Sequence, residues 1–450
     1  MTETLSRAAV PAPSPASSAA SSAVSVSPSV SPSVSPAGLT TSRGAARYIG
    51  ALLGPGLLLL PGLAAAEAGP ASVLAWAGLL LLSGLFAVVF GALGRGFPSA
   101  GGVIGYVRAG LGARGSAVAG WSFLAGVVAG APVVCLIGAG YVTQLTGGGT
   151  LTRALIAGLL LLAVMALAAG GLRASATAQL VLVSLLLAVV VIAVAGSAGS
   201  SHASNWTPFA PHGWQAIGHA ASTLMLSFVG WEAVAPLTTR FTDPARQLPR
   251  VIGGALAVTS VLYLGLAIAT VSVLGTGAGI SAPLAALLRD AAGPAGTVAA
   301  AVAAVVLTLG AVNAYVTGAA EMAAELTLAG RARPVARPAP GFLAAMAVTG
   351  GALIVLYGLG LVSPAALVAI PTTLFLVVYL GCMTSAARVL RGPARLAAAP
   401  AAVIVAIVLA FCGWALLAAL AVVLAVCSAP PLTRFLARSA DVVHKRYESR

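Results

Sequence analysis

Charge is what this chain of 450 residues has least of: 7% of it is Asp, Glu, Lys or Arg, where a soluble globular protein carries roughly a quarter. So few charges cannot clothe a surface in water, which excludes an ordinary soluble fold. Lysine occurs once, at Lys445, so no lysine can serve as a fixed cation inside the molecule. Cys135, Cys382, Cys412 and Cys427 all fall in apolar segments without C-x-x-C spacing. They read as small buried thiols, with neither a disulfide framework nor a metal site. His202, His212, His219 and His444 show no ligand spacing. No Gly-rich phosphate loop precedes a Lys-Ser or Lys-Thr pair, and neither a Gly-x-Ser-x-Gly elbow nor a His-Glu-x-x-His pair occurs. ATP-driven pumping by this chain and enzyme chemistry are therefore not supported, and no catalytic residue, metal or cofactor is expected.

What is abundant is apolar surface, at 60% hydrophobic residues and a mean hydropathy of +1.05. A bilayer core about 30 Å thick needs roughly 20 apolar residues per helical span. The runs predict an all-α polytopic membrane protein of about twelve transmembrane helices. They lie near 46–68, 72–93, 115–143, 152–171, 174–196 and 215–239, then 248–275, 292–327, 342–361, 365–387, 396–411 and 413–429. The last two meet at Cys412–Gly413, so one long helix and eleven spans is the alternative. Residues 1–42 repeat Ser-Val-Ser-Pro three times, at Ser25–Pro28, Ser29–Pro32 and Ser33–Pro36. Such a segment buries too little to offset its ordering entropy and reads as a disordered tail. It lacks a continuous apolar stretch before a cleavage site, so the first span is the expected targeting signal. Residues 43–430 form the transmembrane domain, and 431–450 a basic tail.

The net charge of +14 is scattered singly between apolar runs, which argues against a nucleic-acid surface. Its placement reports topology instead, because Lys and Arg collect on cytoplasmic connections. Of the 23 basic residues, 21 fall on one side of the proposed spans and only Arg153 and Arg289 on the other. Both termini are thus expected in the cytoplasm, with the chain in the cytoplasmic (inner) membrane. The connection holding His202, Asn205, Trp206 and His212 is expected outside.

Lipid offers no hydrogen-bond partners, so a break inside a span points to protein or a water-lined cavity. The first span reads Gly54-Pro55-Gly56, and the sixth reads Phe228-Val229-Gly230-Trp231-Glu232 with Pro236 beyond. Interrupted helices at corresponding places of two five-helix units are the pattern of an inverted-repeat transporter with a midplane site. A half-helix starting near Pro55 points its N-terminal N–H groups at an anion, and the freed carbonyls of both breaks suit a cation. A zwitterionic amino acid carries one of each. Glu232 is the acid nearest the centre of any span, where a charge costs roughly 2.5–3.5 kcal/mol, and it is the candidate for proton coupling or gating. Glu67, at the outer end of the first span, reads as interfacial, and Glu321 and Glu325, near the inner end of the eighth, as facing water or neutralising arginines. Asn313 and Tyr315 are candidates to line a cavity or to bond across to another helix.

Three stretches are similar to the amino acid–polyamine–organocation superfamily: Gly94-Arg95-Gly96-Phe97-Pro98-Ser99-Ala100-Gly101-Gly102 running to Gly120-Trp121, Phe228 to Glu232, and Asp243-Pro244-Ala245-Arg246-Gln247-Leu248-Pro249. Within it the chain resembles the bacterial branch that exports methionine and branched-chain amino acids. The resemblance implies a LeuT-like 5+5 inverted repeat, over about 46–196 and 215–387, plus two C-terminal helices at 396–429. It implies that Gly54, Pro55 and Gly56 cradle a substrate carboxylate, that Phe228, Val229 and Gly230 offer carbonyls to its amino group, and that Trp231 lines or closes the side-chain pocket. Glu232 takes the position linked to proton sensing, and Pro98–Gly102 that of the inner gate. Two departures stand out. Many relatives have a small or hydroxyl residue where Pro55 offers no N–H, although its fixed φ suits the first position of a half-helix. Arg240-Phe241-Thr242-Asp243-Pro244 reverses a charge where relatives often have Glu.

The expected function is secondary active transport of neutral amino acids of the methionine, leucine, isoleucine and valine class, as proton-coupled efflux by alternating access. The alternatives are a proton-coupled importer of amino acids or polyamines, and a non-transporting membrane sensor. A proton gradient is the expected driving force, with sodium left open. The partners are the small-molecule substrate and the bilayer; nothing specifies an oligomeric state.

Overall fold

A computed structural model describes residues 41–97, 102–172, 176–231, 241, 243–279, 282–327 and 337–428, all within one compact unit, Leu39–Arg450. The Ser/Pro-rich head, the Pro98-Ser99-Ala100-Gly101 run, Glu232, Pro236 and the basic tail lie outside those residues. Thirteen α-helices are described: α1 Thr41–Leu52, α2 Leu60–Ala68, α3 Ser72–Gly96, α4 Gly102–Thr146, α5 Thr150–Ala169, α6 Ala176–Gly196, α7 Gln215–Leu224, α8 Pro244–Ala269, α9 Pro283–Thr327, α10 Pro340–Gly358, α11 Pro364–Val389, α12 Pro393–Ala410 and α13 Leu416–Ser428. No strand occurs among the described residues. Among the described residues, eight helical stretches are long and apolar enough to cross a membrane, and two shorter apolar helices, Leu180–Gly196 and Gly413–Ser428, accompany them.

Helix starts follow local chemistry. Proline stands at the first helical position of α8, α10, α11 and α12, where its missing N–H costs nothing. Asp243 caps α8 by accepting the Arg246 N–H, and Ser363 caps α11 by accepting that of Ala366. Between α12 and α13 the chain turns through Gly413 at φ 55°, so the last apolar stretch is two helices and not one.

Two connections read as loops are helical instead. The 45-residue α4 contains a bend at Gly112 (φ 72°, ψ −168°), and the 45-residue α9 a bend at Gly293 (φ 64°, ψ −151°). Each glycine is the eleventh residue of its helix and turns a short entry helix into the span that follows. These equivalent bends place the same device in both repeats. Sequence periodicity missed the entry helices because Arg108, Arg114, Arg289 and Asp290 interrupt the apolar pattern.

α4 packs along α9 and α11, while α1 runs against α8 and α2 against α7. The central elements bury Trp76, Phe86, Phe90, Tyr141, Trp231, Tyr263 and Tyr379 almost completely. Outward faces carry exposed apolar side chains such as Leu81, Leu159, Val261 and Leu396, the surface a lipid phase requires. Cys135, Cys382 and Cys412 are buried as expected, but Cys427 lies on the exposed face of α13. The connection between α6 and α7 is pinned to the end of the seventh span. The His202 N–H and Asn205 Nδ2 both donate to the Ser272 carbonyl, at 2.9 and 2.8 Å, and Trp206 Nε1 to Ser272 Oγ at 3.1 Å.

Candidate substrate site at two broken helices

The first span breaks where the glycine and proline stand. α1 ends at Leu52, Gly54 is extended (φ −82°, ψ 167°), and Pro55–Leu58 form a single 3₁₀ turn before α2. The Gly54 N–H folds back to the Leu52 carbonyl at 3.0 Å, and Leu57 N–H donates to the Gly54 carbonyl at 3.2 Å. Pro55 has no N–H, and no backbone carbonyl among the described residues takes that of Gly56. Downstream, Tyr141 Oη on α4 donates to the Leu58 carbonyl at 2.6 Å.

The sixth span breaks after α7. A 3₁₀ turn covers Met225–Phe228, Val229 is extended (φ −71°, ψ 133°), and Gly230 sits at φ 145°, a conformation that favours glycine. Its exposed backbone is satisfied from α11: Tyr379 Oη accepts the N–H groups of Gly230 and Trp231 at 3.1 and 3.2 Å and stands 3.3 Å from the Phe228 carbonyl. Tyr263 on α8 joins the two breaks. Its Oη is 2.7 Å from the Leu52 carbonyl and 2.8 Å from that of Ser227.

A cavity of about 570 Å³, its open mouth included, lies where the breaks converge. Gly54 and Gly56 line it from the first span, Leu226 and Val229 from the sixth, and Gly126, Val127, Gly130, Ala131 and Val134 from α4. Ala311, Val312 and Tyr315 from α9, and Phe375 from α11, complete it. Among the described residues, no charged side chain lines it. Ser227 Oγ is buried without a hydrogen-bond partner, 3.0 Å from where a Cβ on Gly56 would stand. A buried hydroxyl left unpaired is costly, and this one adjoins Gly56, which lines the cavity.

The expected site residues divide. Gly54, Gly56, Val229 and Tyr315 line the cavity, and the Pro55 backbone opens the 3₁₀ turn at its edge. Phe228 lies behind it in an aromatic cluster, its ring 5.8 Å from Trp76 and 5.3 Å from Tyr263. Gly230 is tied to Tyr379. Trp231 is fully buried, its Nε1 donating to Ser83 Oγ on α3 at 2.8 Å, so in this conformation it holds the bundle and does not wall the pocket. Asn313 is turned away, with Nδ2 donating to the Leu172 carbonyl at 2.9 Å. Glu67, read as interfacial, is half-buried and accepts Thr223 Oγ1 at 2.9 Å, tying α2 to α7. Glu321 is exposed. Sequence reading passed over Ser227, Tyr263 and Tyr379, and over the small residues of α4. A signal existed: a phenol within an apolar span needs a partner, and Gly126-x-x-x-Gly130-Ala131 is a stripe that lets backbones approach.

The model of the family described as amino acid permease matches residues 39–430. Among curated relatives, the uncharacterized amino acid permease YecA of Bacillus subtilis is 31% identical over 389 residues, 84% of this chain and 92% of that protein. The L-methionine/branched-chain amino acid exporter YjeH of Escherichia coli is 30% identical over 404 residues, 85% of this chain and 94% of that one. Among solved structures, MhsT in complex with L-phenylalanine superposes with a TM-score of 0.59 at 13% identity, covering 84% of this chain and 98% of MhsT; this likeness is one of fold and identifies the LeuT architecture. With a family match across nearly the whole chain, and relatives alike over nearly their full length, the chain belongs to the amino acid permease family of the amino acid–polyamine–organocation superfamily.

Proposed function

We propose that this permease moves neutral amino acids of the methionine, leucine, isoleucine and valine class by alternating access, and that it works as a proton-coupled exporter. The observation that carries the substrate class is the cavity wall. Where both broken spans meet, apolar side chains, glycines and Tyr315 form the wall, with no charge among the described residues to pair an ionic side chain, and the unpaired Ser227 Oγ stands against Gly56. The Gly56 N–H and Ser227 Oγ are the groups offered to the α-carboxylate and α-amino groups, while Val127, Val134, Leu226, Val312 and Phe375 receive an aliphatic side chain. Aliphatic selectivity then follows from shape, at roughly 1–3 kcal/mol per methylene gained or lost.

The export direction is supported by the likeness to the methionine and branched-chain exporter. Proton coupling is assigned to Glu232, whose place just beyond Trp231 sets a carboxyl next to the sixth-span break. The arginine distribution supports a cytoplasmic location for both termini in the inner membrane. The test is efflux of preloaded labelled methionine and leucine from proteoliposomes, with and without an imposed pH gradient. Gradient-driven efflux that Glu232→Gln uncouples supports the reading. Failure of either substrate to move above empty vesicles, in either direction, overturns it.

A further inference from the structure

Two arginines break the positive-inside pattern, and the transport reading uses neither. Arg289 is exposed beside Asp290. Arg153, in the first turns of α5, is only 7% exposed. Its Nε donates to the Leu136 carbonyl at 3.0 Å, and its guanidinium carbon lies 5.5 Å from the centre of the Tyr357 ring. The Tyr357 hydroxyl also meets the guanidinium, yet a carbonyl dipole, a ring face and a neutral phenol do not neutralise a full charge. The described carboxylates are engaged or exposed elsewhere: Glu67 holds Thr223, Asp243 faces Arg246 at 3.9 Å on an exposed helix start, and Asp290 and Glu321 lie on the surface.

The surroundings are built to receive this group. The guanidinium covers Gly140, where an added Cβ would stand 2.9 Å from Nη2 and 3.0 Å from Cζ. Glycine at 140 therefore makes the space. Arg153 also lines a second pocket, about 220 Å³ with its mouth, together with Leu59, Val133, Ile137, Tyr357 and Leu367. Its enclosed part admits one water-sized group. Val133 adjoins Val134, which lines the substrate cavity, and Ile137 lies one turn further along α4, toward the end that the arginine pattern assigns to the outside. A guanidinium withdrawn from water needs a counter-charge, and the positive N-terminal end of α5 adds to its potential.

We propose that Arg153, with Tyr357 and the apolar walls around it, forms a binding site for a small monovalent anion, either a halide or the tip of one carboxylate. An ion held there completes the charge balance beside the first-span break, since Leu59 belongs both to this pocket and to the junction between the 3₁₀ turn and α2. The site is independent of what the larger cavity carries.

The test uses the purified full chain in detergent. Its thermal unfolding is followed as the bulky sulfonate MES is replaced, at constant ionic strength, by chloride in one series and by acetate in another. A saturable rise of about 2–4 °C in either series is expected, and the series that responds identifies a halide or a carboxylate as occupant. Arg153→Gln should abolish the rise. If that variant does not fold, Gly140→Ala, whose methyl displaces the guanidinium, should weaken the apparent anion affinity about tenfold or more. A wild-type midpoint indifferent to both anions, or an undiminished rise in the Arg153 or Gly140 variant, overturns the proposal. Because unfolding is read without transport, failure here is distinguishable from failure of the transport reading.

Discussion

The two broken spans solve the same problem differently. In the first, Gly54-Pro55-Gly56 encodes the break in place: Gly54 takes an extended conformation open to any residue, and the freed backbone closes largely on itself through the Gly54 N–H to Leu52 and Leu57 N–H to Gly54 bonds. In the sixth, backbone groups are rescued from a distance. Tyr379, almost 150 positions away in sequence, meets the Gly230 and Trp231 N–H groups, and Gly230 adopts a φ of 145° that other residues rarely reach. The first break is thus a local property and the sixth a tertiary one, with Tyr263 spanning both.

That contrast yields a ranked series of substitutions. Tyr379→Phe strands two buried N–H donors at once, and each unsatisfied group costs about 1–3 kcal/mol; the loss in unfolding free energy should be the largest of the series, and a loss no greater than that of Tyr141→Phe would erase the distinction between the breaks. Gly230→Ala comes next, at about 1–3 kcal/mol from backbone strain, read as a lower thermal midpoint of the purified protein. Tyr141→Phe removes a single bond, to the Leu58 carbonyl, and should cost about 1 kcal/mol in the same assay. Gly54→Ala should leave stability within about 0.5 kcal/mol, since no atom lies within 4 Å of the added Cβ. Its methyl nonetheless enters the cavity wall, so the affinity for leucine should fall more than that for alanine in competition uptake or efflux; a Gly54→Ala protein that melts far below wild type would show that the first break is not locally held.

Much of the site could be read from residue order because helix-breaking residues act where they stand. Pro55 marks the first break through its missing N–H and Gly230 the sixth through its φ of 145°, which are properties of single residues. The family resemblance implies a pocket role for Trp231, whereas in this conformation its indole turns to Ser83 on α3. Nothing in the linear order of Trp231 and Ser83 specifies which face of the sixth span meets α3. Asn313 and Tyr315 divide the two roles open to them: Tyr315 lines the cavity and Asn313 bonds across to the Leu172 carbonyl. Two residues apart on a helix, the two side chains are separated by about 200°, and packing against the end of α5 decided which of them faced inward.

The sequence by itself determined the membrane-spanning helices, the breaks in the first and sixth spans and the family, because hydropathy, backbone propensity and motif spacing are local. Only the tertiary structure decided which groups satisfy those breaks, how small residues of α4 and Phe375 of α11 close the cavity wall, and that Arg153 is buried beside it. Hydrogen-bond pairing and cavity shape depend on distances between segments far apart in the chain, and those distances are set by how the helices pack.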